Sequence, residues 1–318
     1  MALRVENNRL VGNVDNLETK LNGELPVDRL ELLYLVNSWG RSETFITYNN
    51  DMEIIIKKCE VKECYDLSKL DVSQITNMSN VFIFSKFNGD ISSWNMSNVT
   101  DMKLMFGYAE RFNQELNFNT SKVTSLDGMF YNAREFNQEL NFNTSNVTSM
   151  NSMFGYAENF NQPLNFNTSK VTSMKEMFYN AKEFNQPLNN WNVSNVTSLE
   201  SMFFNAASFN QNIGNWDVSN VINMVSMFYG TREFNQNISN WNLENIEDLN
   251  EIFEEAKAFI KKYNSDKPLP EDTKEIKNWF NLNRDKMNAI NVKDKYGEEI
   301  DDFFTDIYSM NRIGFHKI

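Results

Sequence analysis

The chain has 318 residues, 41% of them apolar and 23% charged, with a net charge of −13; this is the composition of a folded protein rather than a disordered one. Such acidity argues against a nucleic-acid partner, which needs a basic stripe to release counterions, and against anionic membranes. Apolar runs such as 32–36 and 54–56 are far too short to span a bilayer.

The opening MALRVENNRL carries Arg4 and Glu6 and no apolar core. It is not a secretory or lipoprotein leader, so a cytoplasmic or virion-associated location is expected over a secreted one. Leu30, Leu33 and Val36 come next at near-helical spacing, with Pro26 placed to open a helix and Gly40 to close it. The β-prone stretches 44–48 and 52–57 flank Asn49-Asn50-Asp51 and predict a hairpin. Residues 1–57, a helix plus a hairpin, are therefore expected to form an N-terminal cap. Cys59 and Cys64 are compatible with two free thiols, a local disulfide or half a metal site, but no second ligand pair exists.

From there the chain repeats itself. Phe-Asn begins at Phe87, Phe112, Phe136, Phe160, Phe184, Phe209 and Phe234, with a degenerate copy at Phe259, always 24 or 25 residues apart. A worn earlier unit precedes them, Val72-Ser-Gln-Ile75-Thr-Asn-Met78 matching Val193-Ser-Asn-Val196-Thr-Ser-Leu199. Such a period means a stacked array, in which no unit can bury its apolar face alone. The solenoid is expected over 58–262.

Each unit divides in two. Ile213, Trp216, Val218 and Val221 lie at 0, 3, 5 and 8, and the alternation in Trp-x-Val predicts one short parallel strand facing a core. The 24-residue form, Leu116-Asn-Phe118, loses one residue ahead of the aromatic, which should keep the strand and tighten the turn before it. The second half, Leu126, Met129, Phe130, Ala133 and Phe136, steps by three and four and predicts a short one-faced helix, with Thr124/Asp127 and Thr197/Glu200 spaced as capping boxes. The expected fold is therefore α/β, a leucine-rich-repeat-like solenoid. The last unit turns acidic, Lys267-Pro-Leu-Pro270 breaks the chain, and helices over 271–290 and 298–310 make 263–318 a predicted helical cap or docking module.

The unit M-F-x-x-A-x-x-F-N-Q-x-[LI]-x-x-W-[ND]-V-S-N-V-T-x-M is written here by Met202-Phe203, Ala206, Phe209-Asn210-Gln211, Ile213 and Trp216-Asp217-Val218-Ser219-Asn220-Val221. Over 58–260 it resembles the BspA-like leucine-rich repeat of bacterial and mycoplasmal surface proteins, also found in proteins of large DNA viruses. The resemblance implies a solenoid used for adhesion or protein–protein contact, with no catalytic residues and no cofactor.

The residues that repeat most, Phe112, Met129-Phe130 and Ala133, belong to the stacked core. Asn113, Asn137, Asn161, Asn185, Asn210 and Asn235 share one register at a turn, where an amide ladder would bond the backbone of the next coil. A second register points away from the core. Its candidate binding strip is Asn95, Asn119, Ser121, Asn143, Ser145, Asn167, Ser169, Asn192, Ser194, Asp217, Ser219 and Asn242. The strip is rich in donors and acceptors and nearly uncharged, which suits a protein partner's backbone; a glycan is the alternative ligand, disfavoured because the strip lacks aromatic platforms.

Catalysis has little to work with. His316 is the sole histidine, so nucleophile–histidine pairs and histidine metal clusters are not expected, and no phosphate-cradling loop occurs. The acidic face Glu298, Glu299, Asp301, Asp302 and Asp306 is read as solvated. The recurring N-x-[ST] triplets arise from the repeat itself. The expected function is a non-enzymatic interaction or adhesion scaffold. Alternatives are a structural component of a virion or cell-surface layer, docked through its ends, and a substrate adaptor with an F-box-like opening at Leu25-Pro26-Val-Asp-Arg-Leu30.

Overall fold

A computed structural model describes backbone and side chains over 14–36 and 65–294, and backbone alone at residues 37 and 295–296 and at five short strands. Strands β1 (Arg4–Glu6), β2 (Arg9–Val11) and β5 (Lys58–Cys59) form one sheet in the order β1-β2-β5, antiparallel and then parallel. β3 (Thr47–Tyr48) pairs antiparallel with β4 (Ile54–Ile56). Gly40, the turn at 49–51, the pairing of Cys59 with Cys64, the helix expected at 298–310 with its acidic face, and His316 lie outside the described residues.

Helices α1 (Leu17–Leu21) and α2 (Arg29–Asn37) precede the repeats. Asp28 opens α2 with a reciprocal capping box: its carboxylate accepts the Glu31 N–H at 2.9 Å, and Glu31 accepts the Asp28 N–H at 2.9 Å. Lys20 ties α1 to Glu31 at 2.5 Å. Leu32, Leu33, Leu35 and Val36 are buried in the same core as Leu67, Val72 and Ile75 of the first coil. Pro26 stands just outside α2, where it forms a parallel bridge with Asp71.

From 65 to 256 the chain is a stack of coils, but the coils are not built from a strand and a helix. Among the described residues of this span no helix and no strand of two or more residues occurs. The half expected to be helical is a run of tight turns bonded alternately within and between coils. In 126–133, the N–H groups of Met129, Tyr131 and Ala133 reach back three residues to Leu126, Gly128 and Phe130 at 2.9–3.1 Å. Those of Leu126, Gly128, Phe130 and Asn132 instead donate to Ser149, Asn151, Met153 and Gly155 of the next coil at 2.7–3.1 Å.

The reason is a left-handed residue at every fourth position: Gly128 and Asn132, Ser152 and Tyr156, Glu176 and Asn180, Ser201 and Asn205, Ser226 and Gly230 all have φ between 50° and 64°. A right-handed helix cannot pass through such residues. Apolar steps of three and four arise because successive turns return side chains to the interior at the same intervals as a helix would. The expected capping boxes dissolve accordingly. The Thr197 hydroxyl donates to the Thr172 carbonyl of the preceding coil at 3.1 Å, and the Asp127 carboxylate accepts from Ser149 and from the Asn151 N–H of the following one.

The half expected to be a strand keeps its alternation but not its sheet. Trp216 and Val218 are buried and Asp217 between them is exposed. Turns close the segment at both ends, Trp216 N–H to Ile213 at 3.1 Å and Val221 N–H to Val218 at 3.0 Å, leaving too short a run for a ladder. The parallel bridges that recur in every coil fall further along, at Asn77, Asp101, Ser125, Ser149, Ser173, Ser198, Asn223 and Asp248. Loss of one residue in the 24-residue coils does not tighten the turn before the aromatic; the turn is gone. The Trp-to-(i−3) bond occurs at Trp94, Trp191, Trp216 and Trp241, whereas Leu116 and Leu140 bridge directly ahead of Phe118 and Phe142. Tryptophan accompanies the longer coil, its indole N–H donating to a carbonyl of an earlier coil, as from Trp216 to Leu188 at 3.0 Å.

Phenylalanine fills the interior in two columns. Phe82, Phe106, Phe130, Phe154, Phe178, Phe203, Phe228 and Phe253 stack at 5.0–5.8 Å between ring centroids. The Phe-Asn phenylalanines stack beside them at 5.9–6.4 Å, and the columns meet at 3.9–4.8 Å. Each ring contributes about 1.5–3 kcal/mol by burial alone. The amide ladder is also present: the Asn161 side-chain oxygen accepts the Asn185 N–H at 2.9 Å and the Gln186 amide at 3.0 Å, and the same pair of bonds recurs along the stack at Asn88, Asn113, Asn137, Asn185 and Asn210.

The ends of the stack are chemically different. Because the turn half of each coil donates forward, the first coil has turn-half carbonyls with no preceding coil to bond them. Arg29 of α2 covers two of them, donating to Asn77 at 2.5 Å and Ser79 at 2.6 Å. At the other end, α3 (Lys257–Asn264) continues the second column through Phe259. α4 (Thr273–Tyr296) covers the last coil with Ile276, Phe280 and Met287.

Candidate functional site

The structure brings the candidate strip into one file along the stack, with Asn95, Asn119, Asn143, Asn167, Asn192, Asp217 and Asn242 all exposed. Their side-chain oxygens, however, are engaged locally. Each accepts the backbone N–H two residues on, at 3.0–3.1 Å, in an Asx turn. At Asp217 the hydrogen bonds from the Ser219 hydroxyl and N–H hold the carboxyl below its usual range. The carbonyls of Ser121, Ser169, Ser194 and Ser219 accept the side-chain amides of Asn146, Asn195, Asn220 and Asn245 from the next coil at 2.7–2.9 Å. Amide nitrogens and some serine hydroxyls are what the strip offers a ligand.

A second surface feature was not anticipated from the sequence. Phe84, Tyr108, Tyr131, Tyr156, Tyr179, Phe204 and Tyr229 form a continuous ladder on the outside of the turn half, with ring centroids 4.6–5.5 Å apart. It escapes a register count because its members alternate between two positions. Tyr131, Tyr179, Phe204 and Tyr229 directly follow Met-Phe, whereas Tyr108 and Tyr156 come one residue later, behind Gly107 and Gly155. The glycine has a spatial role: a Cβ at Gly155 would lie 2.8 Å from the Tyr131 ring. The alternating Met-Phe-Gly-Tyr and Met-Phe-Tyr-Asn spellings were the available signal.

The shifted aromatics occupy a disfavoured backbone state. Phe84, Tyr108 and Tyr156 have φ of 56°, 56° and 57°, at a site where other coils place Asn132, Asn180, Asn205 or Gly230. Asn and Gly tolerate the left-handed region, whereas a bulky aromatic there costs of order 1–3 kcal/mol. Burial between neighbouring rings, with Tyr108, Tyr156 and Glu176 nearby, pushes the Tyr131 hydroxyl up to about 12, so this rung of the ladder is uncharged at neutral pH. Mixed charges border it: Lys182 pairs with Glu158 at 3.0 Å, Lys175 with Glu200 at 2.7 Å, and Arg134 donates to Asn132 at 3.1 Å. Among the described residues no group of three or more His, Cys, Asp or Glu side chains is placed to hold a metal ion, and no helix is long and apolar enough to cross a membrane.

Stacked coils, internal aromatic columns and side-chain ladders repeating at one interval define a repeat protein. The chain belongs to the family described as Mycoplasma protein of unknown function, DUF285, whose model matches in four overlapping stretches, 50–165, 115–206, 163–267 and 186–296. The overlap of these matches is itself the mark of an array in which the motif can be entered at several registers. No curated protein and no solved structure matches the chain.

Proposed function

We propose that the chain is a non-enzymatic binding scaffold, that its working surface is the aromatic ladder from Phe84 to Tyr229, and that its partner is a protein. The observation that carries this reading is the placing of Phe84, Tyr108 and Tyr156 at left-handed backbone positions. Asparagine or glycine serves the fold there at lower strain, so the aromatics are held for what they present. Tyrosine supplies a large rigid contact with a polar tip, the chemistry enriched at protein interfaces. A glycan is less well suited, because several ring faces are already covered by the neighbouring ring, as between Tyr179 and Phe204, 4.6 Å apart and 3° from parallel. The likeness of the repeat to BspA-like surface proteins supports adhesion as the setting of this contact.

The test is a double substitution to the residue that other coils use, Tyr108→Asn with Tyr156→Asn. The melting temperature is expected to hold or rise, since strain is relieved. Retention of the partner in pull-downs from the native source is expected to fall at least about tenfold, as when central aromatic anchors of an interface are removed. Full retention by a folded double variant would remove the ladder from consideration.

A further inference from the structure

The far end of the stack holds a second binding site of a different kind. In the internal coils the N–H groups of the turn half donate forward: those of Ser226, Phe228 and Gly230 reach the carbonyls of Asn250, Ile252 and Glu254 at 2.7–2.9 Å. The next three in the series, Glu251, Phe253 and Glu255, have no coil ahead of them, and among the described residues their N–H groups have no hydrogen-bond partner. Only Leu249 in this row is capped, by the Thr273 hydroxyl at 2.9 Å. At the opposite end of the stack, Arg29 covers the carbonyls of Asn77 and Ser79. Phe253 is buried whereas Glu251 and Glu255 are exposed, and an unpaired N–H is costly where it is shielded from water.

These donors stand in the wall of a hollow of about 440 Å³ between the last coil and the start of α4. Its floor is apolar, with Ile260, Leu269, Ile276 and Trp279, and its rim sets Glu251, Glu254, Glu255, Asp266 and Glu271 against one lining cation, Lys257. Lys257 is itself paired with Glu255 at 3.5 Å. The carboxylates make the site hostile to an anion, although a row of N–H groups alone would attract one. What satisfies all three features is a neutral acceptor with an apolar body and a cationic border. A second copy of the chain fits it less well, because Arg29 already covers two carbonyls, those of Asn77 and Ser79, of the edge that would continue the stack.

We propose that this donor edge binds a short peptide segment of a partner protein, apolar in its middle and flanked by Lys or Arg, whose backbone carbonyls accept from Glu251, Phe253 and Glu255. Its side chains enter the Leu269–Trp279 floor and its cations meet the acidic rim. The edge supplies donors only, so the peptide contributes acceptors only, which separates this mode from ordinary strand addition, where both partners donate.

The experiment titrates the full chain with the labelled synthetic peptide acetyl-Lys-Phe-Ile-Gly-Phe-Lys-amide and reads fluorescence anisotropy. Saturable binding is expected, weakened at least tenfold when both lysines of the peptide become glutamates. Methylating the peptide's central backbone nitrogens is expected to change affinity less than threefold. The exposed triple variant Glu254→Lys, Asp266→Lys, Glu271→Lys, checked for an unchanged melting temperature, is expected to lose at least tenfold. Absence of saturable binding, equal binding of the glutamate peptide, loss on N-methylation, or full affinity of the triple variant would each overturn the assignment. So would binding that appears only when the chain is shortened to residue 296, which would show the protein's own C-terminal segment to be the occupant.

Discussion

Phe154→Ala is expected to lower stability by about 3–5 kcal/mol, the range for deleting a buried phenylalanine without collapse of the surroundings. The ring is fully buried and stands between Phe130 and Phe178 at 5.7 Å on either side, with Phe160 of the neighbouring column at 4.0 Å. Collapse is prevented by the backbone: the Phe154 N–H is bonded to Met177 at 2.9 Å, and the adjoining coils are locked to each other by the same ladder. In a linear array each unit contacts only its neighbours, so a weak coil in the middle divides the stack. Chemical denaturation followed by tryptophan fluorescence is the measurement, because Trp94 lies on one side of the lesion and Trp191, Trp216 and Trp241 on the other. A broadened or two-step transition is expected. A single sharp transition displaced by less than about 1 kcal/mol would contradict the continuous core, since that is the scale of a surface substitution.

The second large effect is expected at the N-terminal end. Arg29→Leu removes the charged donor to the carbonyls of Asn77 and Ser79, and hydrogen bonds to a charged group are worth about 1.5–3 kcal/mol each. Burial pushes the Arg29 guanidinium down to about 10, with Asp101 opposing the shift. At neutral pH the group is still charged, and holding it there works against folding except for the bonds it makes. A loss of about 2–4 kcal/mol is expected, and it should appear first as faster hydrogen exchange of the amides in the first coils. Arg29→Lys is expected to recover only part of it, because an ammonium lacks the planar fork that reaches two carbonyls at once. Full recovery by lysine, or no loss on Arg29→Leu, would show that the first coil does not depend on this cap.

The repeat, its period and its inward residues were legible in the sequence because apolar burial leaves a periodic trace. Phe112, Met129, Phe130, Ala133 and Phe136 are all fully buried. The Asn113 register was legible for the same reason, a polar residue held constant at a turn. The path of the backbone was not. Steps of three and four do not distinguish a helix from successive turns, and the residues that decide between them, such as Ser201 and Glu176 at left-handed φ, are not glycine and carry no special spelling. The strand was overread because Trp216-Asp217-Val218 alternates without having a partner long enough to pair with. The aromatic ladder was hidden by its own geometry, since rings contiguous in space sit at alternating positions in the repeat. Asn119 and Asn143 of the outward strip are exposed, yet Asx turns give those residues a role in the backbone that alternation could not reveal.

All of this rests on coils closed by left-handed turns, and Ser201 tests that most directly. Its φ is 50°, its N–H bonds Val225 at 2.8 Å, and its hydroxyl has no hydrogen-bond partner among the described residues, so substitution probes the backbone alone. The measurement is the difference in unfolding free energy between Ser201→Gly and Ser201→Ala. Left-handed backbone favours glycine, and the glycine variant is expected to be the more stable by about 1 kcal/mol. In a helix the order reverses, with alanine ahead by about 1 kcal/mol; that result would contradict the turn-built coil.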